Sequence, residues 1–257
     1  ALRSAGYTTG IVGKWHLGVK EIFHPLNRGF DHFFGVLTSA TDYADPTRAD
    51  VKSASYSRET QTFELSNPKD WKGRGKKFVA RGHVPFNEDD YITDAFTREA
   101  GAFIRANKDA PFFLYLPYNA PHGPLQVTQE YYDRFPQIEN EAKRIYAAMI
   151  SALDESIGSV LGVIEEQGLE NNTLVMLISD NGGGVAAYAS NSPLRLGKHT
   201  LFEGGVRVPF VMKWPGHISA GGTYEHPVST LDVFPTVLAA AKSTKIPTKE
   251  LDGIDLI

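Results

Sequence analysis

Leu174-Val175-Met176-Leu177-Ile178-Ser179-Asp180-Asn181-Gly182-Gly183-Gly184 decides how the rest of the chain is read. Five apolar residues in a row, closed by polar ones, predict a strand buried on both faces, as inside a parallel sheet. The run stops at an acid, an amide and three glycines. In open α/β sheets ligands sit just beyond the carboxyl ends of the strands, so Asp180 and Asn181 stand where a site forms and offer hard oxygen donors. A plain Asn-Gly turn gives the same letters. Other loops must join this one before a site is claimed.

Working outward, residues 139–167 carry Ile145, Met149, Ala152, Leu153, Ile157, Val160, Leu161 and Ile164 at helical spacing, with Gly168 as cap. Helix, short turn and strand predict half of a crossover unit and a mostly parallel sheet. Upstream, Pro111-Phe112-Phe113-Leu114-Tyr115-Leu116 predicts a second buried strand. It delivers Pro117-Tyr118-Asn119-Ala120-Pro121-His122-Gly123-Pro124, whose prolines restrict the backbone around His122. Tyr7-Thr8-Thr9-Gly10-Ile11-Val12 predicts a third strand, running into Gly13-Lys14-Trp15-His16-Leu17-Gly18. Lys14 and His16 alternate, so in an extended segment both side chains face one way. Residues 92–107 have the pattern of a covering helix, 208–213 of a strand and 231–242 of a helix, with Pro235 in or near its first turn. Residues 24–34 read as an aromatic loop, and 44–90 as a polar peripheral insertion, a small hairpin or substrate-side loop.

Composition narrows the chemistry. A net charge of -4 gives no argument for nucleic acid or an anionic membrane as partner. No apolar run approaches the ~20 residues of a membrane span. With no cysteine, disulfides and thiolate metal sites are excluded, and any metal must be held by oxygen or imidazole. Ala1-Leu2-Arg3-Ser4-Ala5-Gly6 reads as the end of a helix, and the chain finishes on Ile254-Asp255-Leu256-Ile257. Both are expected of a piece cut from a longer protein.

Four loops beside strands thus supply Lys14 with His16, His122, Asp180 with Asn181, and Lys198. Oxygen donors for a cation, two lysines and two histidines suit hydrolysis of a charged ester. Cations draw charge from the nonbridging oxygens, one imidazole protonates the leaving oxygen and another acts as base.

These loops carry a resemblance. Gly6-Tyr7-Thr8-Thr9 leading to Gly13-Lys14-Trp15-His16-Leu17-Gly18, Pro121-His122-Gly123-Pro124, Ser179-Asp180-Asn181-Gly182-Gly183, and Gly197-Lys198 with Glu203-Gly204-Gly205-Val206-Arg207-Val208-Pro209 resemble the formylglycine-dependent sulfatases of the alkaline phosphatase superfamily. The resemblance implies an α/β fold, a mostly parallel central sheet with helices on both faces, and residues 1–257 as a partial catalytic domain. It implies hydrolysis of sulfate esters, in a sulfated small molecule or saccharide, with bound calcium or another divalent cation. Asp180 and Asn181 match the metal ligands. Lys14 and Lys198 match the lysines that hold the sulfate and the aldehyde-derived nucleophile. His122 matches the histidine near the leaving oxygen, and His16 the base that helps expel sulfate. A periplasmic, secreted or lysosomal compartment goes with the family.

The departures are as informative. The family's formylglycine arises within C/S-x-P-x-R, and the only segment here of that shape is Asn191-Ser192-Pro193-Leu194-Arg195, with Asn where the nucleophile would stand and the whole lying after the metal pair rather than before Lys14. It is rejected as a decoy. The formylglycine and the family's first metal-binding acids are therefore expected upstream of Ala1, leaving the chain incomplete for catalysis, a weak binder of calcium, and marginally stable. Two alternatives remain open: a phosphodiesterase or phosphonate hydrolase of the same superfamily, and a non-catalytic relative that binds sulfated glycans. Two lysines and two histidines around a single metal favour sulfate over a two-metal arrangement. The sequence carries no reading of the particular ester or of oligomeric state.

Overall fold

The computed structural model describes residues 1–66, 79–244 and 250–257. Gly6 closes a 3-10 turn at Arg3–Ala5 in the left-handed region and leads into β1, Thr8–Lys14. Thr8, Thr9, Ile11 and Val12 favour extended backbone. Two 3-10 turns, Glu21–Phe23 and Pro25–Arg28, precede β2, His32–Val36. That strand lies partly inside the segment expected to be loop. Phe33 and Phe34 are both buried, so no alternation of apolar and polar residues marks it.

Residues 44–90 contribute four short strands: β3, Val51–Tyr56; β4, Phe63–Leu65; β5, Val79–Arg81; and β6, Val84–Phe86. Its portion at 67–78 lies outside the described residues. The covering helix α1 spans Ile92–Asn107, as its spacing predicts. Then come β7, Phe112–Tyr115; β8, Leu125–Thr128; a one-turn helix α2, Gln129–Tyr132; and the long helix α3, Glu141–Glu166. Asn140 caps α3, its side chain accepting the Lys143 N–H at 2.9 Å. Gly168, at φ 67°, turns the chain out of it towards β9, Val175–Ile178. A short helix α4, Glu203–Val206, precedes β10, Phe210–Lys213, and α5, Val233–Ala240, follows.

The main sheet has the order β6-β5-β2-β1-β7. β1 pairs in parallel with β2 and β7, while β5 and β6 extend the far edge antiparallel. It is a mixed sheet with helical segments on both sides. On one, Val12, Phe34 and Val36 join Phe96 of α1 and Ile145, Met149 and Ala152 of α3 in a single core. On the other, Ile11, Trp15 and Phe33 pack with Leu26 and Phe30 from the 3-10 turn region. β4, β3 and β8 form a separate three-stranded sheet.

Two expectations are corrected. β9 pairs only with β10, antiparallel, with Met176 opposite Met212, so α3 and β9 do not close a parallel crossover among the described residues. With one edge paired, β9 is half-buried rather than covered on both faces, and Leu177 is 46% exposed. Secondly, α3 is long and apolar enough, by length and composition, to cross a membrane, with a mean hydropathy of 1.5 over its best stretch. The acids Asp154 and Glu155 interrupt the run and hide this from a search for unbroken apolar residues. In the fold α3 packs on α1 and β8. A core helix passes the same test.

Between β7 with α3 on one wall and β9 with β10 on the other runs a cleft of about 2750 Å³, lined by Phe112, Leu114 and Ile157 against Val175, Leu177 and Val211. The loops following β1, β7 and β9 all open onto it.

Candidate functional site

Lys14 is the last residue of β1, and its backbone is held from both sides. Its N–H donates to the Pro117 carbonyl at 2.8 Å, and the next N–H, of Trp15, donates to Val36 at 2.8 Å. Gly13 allows this closeness, since a Cβ there would lie 2.2 Å from the Pro117 oxygen, and its φ of 134° suits glycine. The end of β1 is thereby locked beside the loop that carries His122. The buried indole of Trp15 donates to the Phe23 carbonyl at 2.8 Å and meets Phe30 edge-on, anchoring the segment after it. His16 adopts φ 54°, a left-handed backbone, and its imidazole is exposed.

His122 is half-buried. Its Nδ1–H donates to the Gly123 carbonyl at 2.7 Å, which leaves Nε2 as the nitrogen free to act. Its own carbonyl accepts the Tyr43 hydroxyl at 2.9 Å. Backbone bonding to Asn119 and this tyrosine hold the loop from beneath.

Asp180 and Asn181 follow β9 on a loop fused to the Lys198 loop. Gly182 N–H donates to the Gly205 carbonyl at 2.9 Å, and Lys198 N–H to the Gly183 carbonyl at 3.2 Å. The backbones come so near that a Cβ on Gly182 would lie 1.7 Å from the Gly204 oxygen. Asn191, the residue at the head of the rejected motif, grips Gly183 through both ends of its amide: Oδ1 accepts the Gly183 N–H and Nδ2 donates to the Gly183 carbonyl, each at 2.9 Å. Arg195 of the same segment lies over the Phe202 ring at 4.1 Å. The decoy is a brace for the loops that carry Asp180 and Lys198.

Lys14, His16, His122, Asp180, Asn181 and Lys198 all line the same cleft. They also share one electrostatic environment. Burial lowers the Lys14 ammonium below its ordinary value, Asp180 pulls it back and Lys198 lowers it further. The slight desolvation of the largely exposed His16 lowers it, and Lys14 and Lys198 add to this while Asp180 opposes. For His122 burial again leads; the bond to Gly123 raises its affinity for a proton, Lys198 and Lys14 reduce it, and Asp180 raises it. Two lysines and one carboxylate within range of both imidazoles make a cup suited to an anion.

A divalent cation suits these donors in kind. Asp180 offers a carboxylate, and Asn181, whose Nδ2 donates to the Gly182 carbonyl at 3.0 Å, keeps Oδ1 free of any hydrogen bond among the described residues. It does not suit them in number. No group of three or more His, Asp or Glu residues that could hold a metal occurs among the described residues, and calcium takes roughly 6–8 oxygens. The sequence reading passed over Tyr115, the final residue of β7, whose phenol lines the cleft and is raised by burial and by Asp180. Its position at a strand end was the available signal.

A family model described as Sulfatase matches residues 1–243. N-acetylgalactosamine-6-sulfatase of Homo sapiens is 33% identical, covering 100% of this chain and 46% of its own length. Arylsulfatase J of Mus musculus is 32% identical, covering 99% of this chain and 40% of its own. The chain spans about half the length of the curated relatives it matches. Among solved structures, Ps i-CgsB in complex with k-i-k-neocarrahexaose is 38% identical with a TM-score of 0.84, covering 99% of this chain and 55% of that one. The PsFucS1 sulfatase from Pseudoalteromonas sp. is 27% identical with a TM-score of 0.72, covering 99% and 52%.

Proposed function

The chain belongs to the sulfatase family, and on that footing we propose that its cationic cup receives the sulfate group of a sulfated saccharide or small molecule and serves hydrolysis of the ester. The observation that carries this reading is the mutual electrostatic contact of Lys14, His16, His122, Asp180 and Lys198, drawn from four separate loops. Lys14 and Lys198 balance charge on the nonbridging oxygens as it grows in the transition state. His122, with Nε2 free, gives a proton to the leaving oxygen, and exposed His16 acts as base when sulfate is released. An arriving anion raises both imidazoles from their lowered values, which readies His122 as an acid.

Asp180 and Asn181 are proposed as two ligands of a calcium ion or another divalent cation, whose charge would further stabilise the sulfate oxygens. The remaining ligands, none of which is identified among the described residues, and a nucleophile of the formylglycine type are proposed to lie elsewhere in the full-length polypeptide. A lysosomal or extracytoplasmic compartment accords with this reading.

The test compares the full-length polypeptide with residues 1–257 alone, using 4-nitrophenyl sulfate, its phosphate analogue and a panel of sulfated saccharides. Full-length protein is expected to release sulfate, Lys14→Ala and His122→Ala to lose at least a hundredfold in kcat/KM, and the isolated chain to release none. Release of phosphate but not sulfate, or full activity in Lys14→Ala, would refute the proposal.

A further inference from the structure

The hairpin of β3 and β4 stands against both loops of the cup. The Phe63 ring fills the space over Gly123, the neighbour of His122, so closely that a Cβ on Gly123 would meet it at 2.6 Å. The Phe63 carbonyl accepts the Tyr188 hydroxyl at 2.9 Å, and Thr62 Oγ1 donates to Ala186 at 3.1 Å. The hairpin is therefore tied to the loop bearing His122 and to the segment that follows Asp180 and Asn181. Its tip is a fixed wall beside the cup.

That tip is internally braced. Tyr56 packs edge-on against Phe63 at 5.8 Å. Its hydroxyl donates to Gln61 Oε1 at 2.8 Å, and Gln61 Nε2 donates to the Arg58 carbonyl at 2.6 Å. Tyr56 is nevertheless 46% exposed, and Tyr56, Arg58 and Phe63 line the same cleft as Lys14, His122 and Lys198. Arg58 has no carboxylate partner among the described residues. Arg3, Arg48, Arg81, Arg98, Arg105, Arg134, Arg144 and Arg207 all have one. A guanidinium with no carboxylate partner among the described residues, two positions from an exposed aromatic ring and lining the same cleft as the cup, has the chemistry of a subsite for an acidic sugar. The ring takes the apolar face of a pyranose, and the fork of N–H donors takes two oxygens of an anionic substituent.

We propose that Tyr56 and Arg58 form a second subsite, which binds the sugar adjoining the one whose sulfate is removed and selects for an anionic group, sulfate or carboxylate, on that neighbour. The substrate class is then a saccharide of at least two units with charge on adjacent rings. This rests on the preceding functional reading only for the identity of the cup. Recognition at the hairpin stands on its own geometry.

The experiment uses the full-length polypeptide, in wild-type form and as Arg58→Ala, Arg58→Lys and Tyr56→Leu, with Arg28→Ala as a control. Arg28 likewise has no carboxylate partner among the described residues but lies outside the cleft. Kinetics and calorimetric binding are compared for a disaccharide sulfated on both rings and for its monosulfated counterpart. Wild type should prefer the disulfated sugar, and Arg58→Ala should reduce that preference at least tenfold through KM and Kd rather than kcat. Arg58→Lys should restore part of it, Tyr56→Leu should weaken both sugars several-fold, and Arg28→Ala should change nothing. Arg58-dependent binding without turnover would remove the hydrolytic reading and keep the subsite. Absence of a preference in wild type, or an unchanged preference in Arg58→Ala, overturns the subsite whatever the activity.

Discussion

The half of the molecule built on β1 and the half built on β9 contribute to one cup but are held together in different ways. Around β1, Ile11, Phe96, Ile145 and Met149 are fully buried, and the sheet is five strands wide. Around β9 there is a two-stranded ribbon, with Leu177 46% and Val211 55% exposed. The first half gains its stability from apolar burial. The second meets the first through Val175, which packs in a small apolar cluster with Ile104, Phe112, Val163 and Ile164, and is otherwise held by backbone-to-backbone contacts among Gly182, Gly183, Gly197, Gly204 and Gly205 and by the grip of Asn191 on Gly183. Lys14, His16 and His122 stand on the first, Asp180, Asn181 and Lys198 on the second. The site is assembled across a seam between a packed body and a thin ribbon, so its geometry is set by glycine loops more than by core volume.

Four measurements test that contrast, the largest effect first. Phe96→Ala in the packed half should cost about 3–5 kcal/mol by denaturant unfolding. Leu177→Ala or Val211→Ala in the ribbon should cost below about 1 kcal/mol. Equal losses would mean the two halves share one core. Gly182→Ala should destabilise by roughly 1–3 kcal/mol through overpacking against Gly204. Hydrogen exchange should show the loss confined to the ribbon and the Lys198 loop, and faster exchange throughout α1 would contradict this.

The third concerns pH. Desolvation lowers His16 and His122 in the folded chain, so the unfolded chain binds their protons more readily. Their contribution to stability is present above the ordinary histidine value of ~6.5 and is lost as pH falls through the lowered folded values. Sulfate bound in the cup should counter that loss. Its increment in Tm is expected to be larger at pH 5 than at pH 7.5, and a larger increment at the higher pH would break the assignment of both imidazoles to the cup. The smallest effect concerns the cation. With only Asp180 and Asn181 as candidate ligands among the described residues, micromolar calcium should leave the Tm of residues 1–257 nearly unchanged. A shift of several degrees would show that the ribbon already carries a complete site.

The same division runs through what could be read from the letters. α1 and α3 were legible because each buries one face against a body, and that periodicity is written in the chain. β1, β7 and β10 were legible from apolar and β-branched runs ending in polar loops. β2 was not, because its apolar run is only Phe33 and Phe34 before Gly35 breaks it, too short to mark a strand. The burial and pairing of β9 were misread, because an apolar run records what a strand could bury and not which strand lies beside it. The brace at Asn191 had no signal, and the hairpin expected within 44–90 gave none for which of its residues meet the cup, since each depends on a contact more than 60 residues away or on the backbone of a neighbouring loop.

The order of strands and loops, the residue types at their ends and the family resemblance were therefore properties of the sequence by itself, since local spacing and side-chain chemistry are local facts. Which loops meet, that Lys14 and Lys198 bear on both imidazoles, and that Tyr56 and Arg58 line the same cleft were decided only by the tertiary structure. Those relations arise from close backbone approaches between distant segments, and no window along the chain contains both partners.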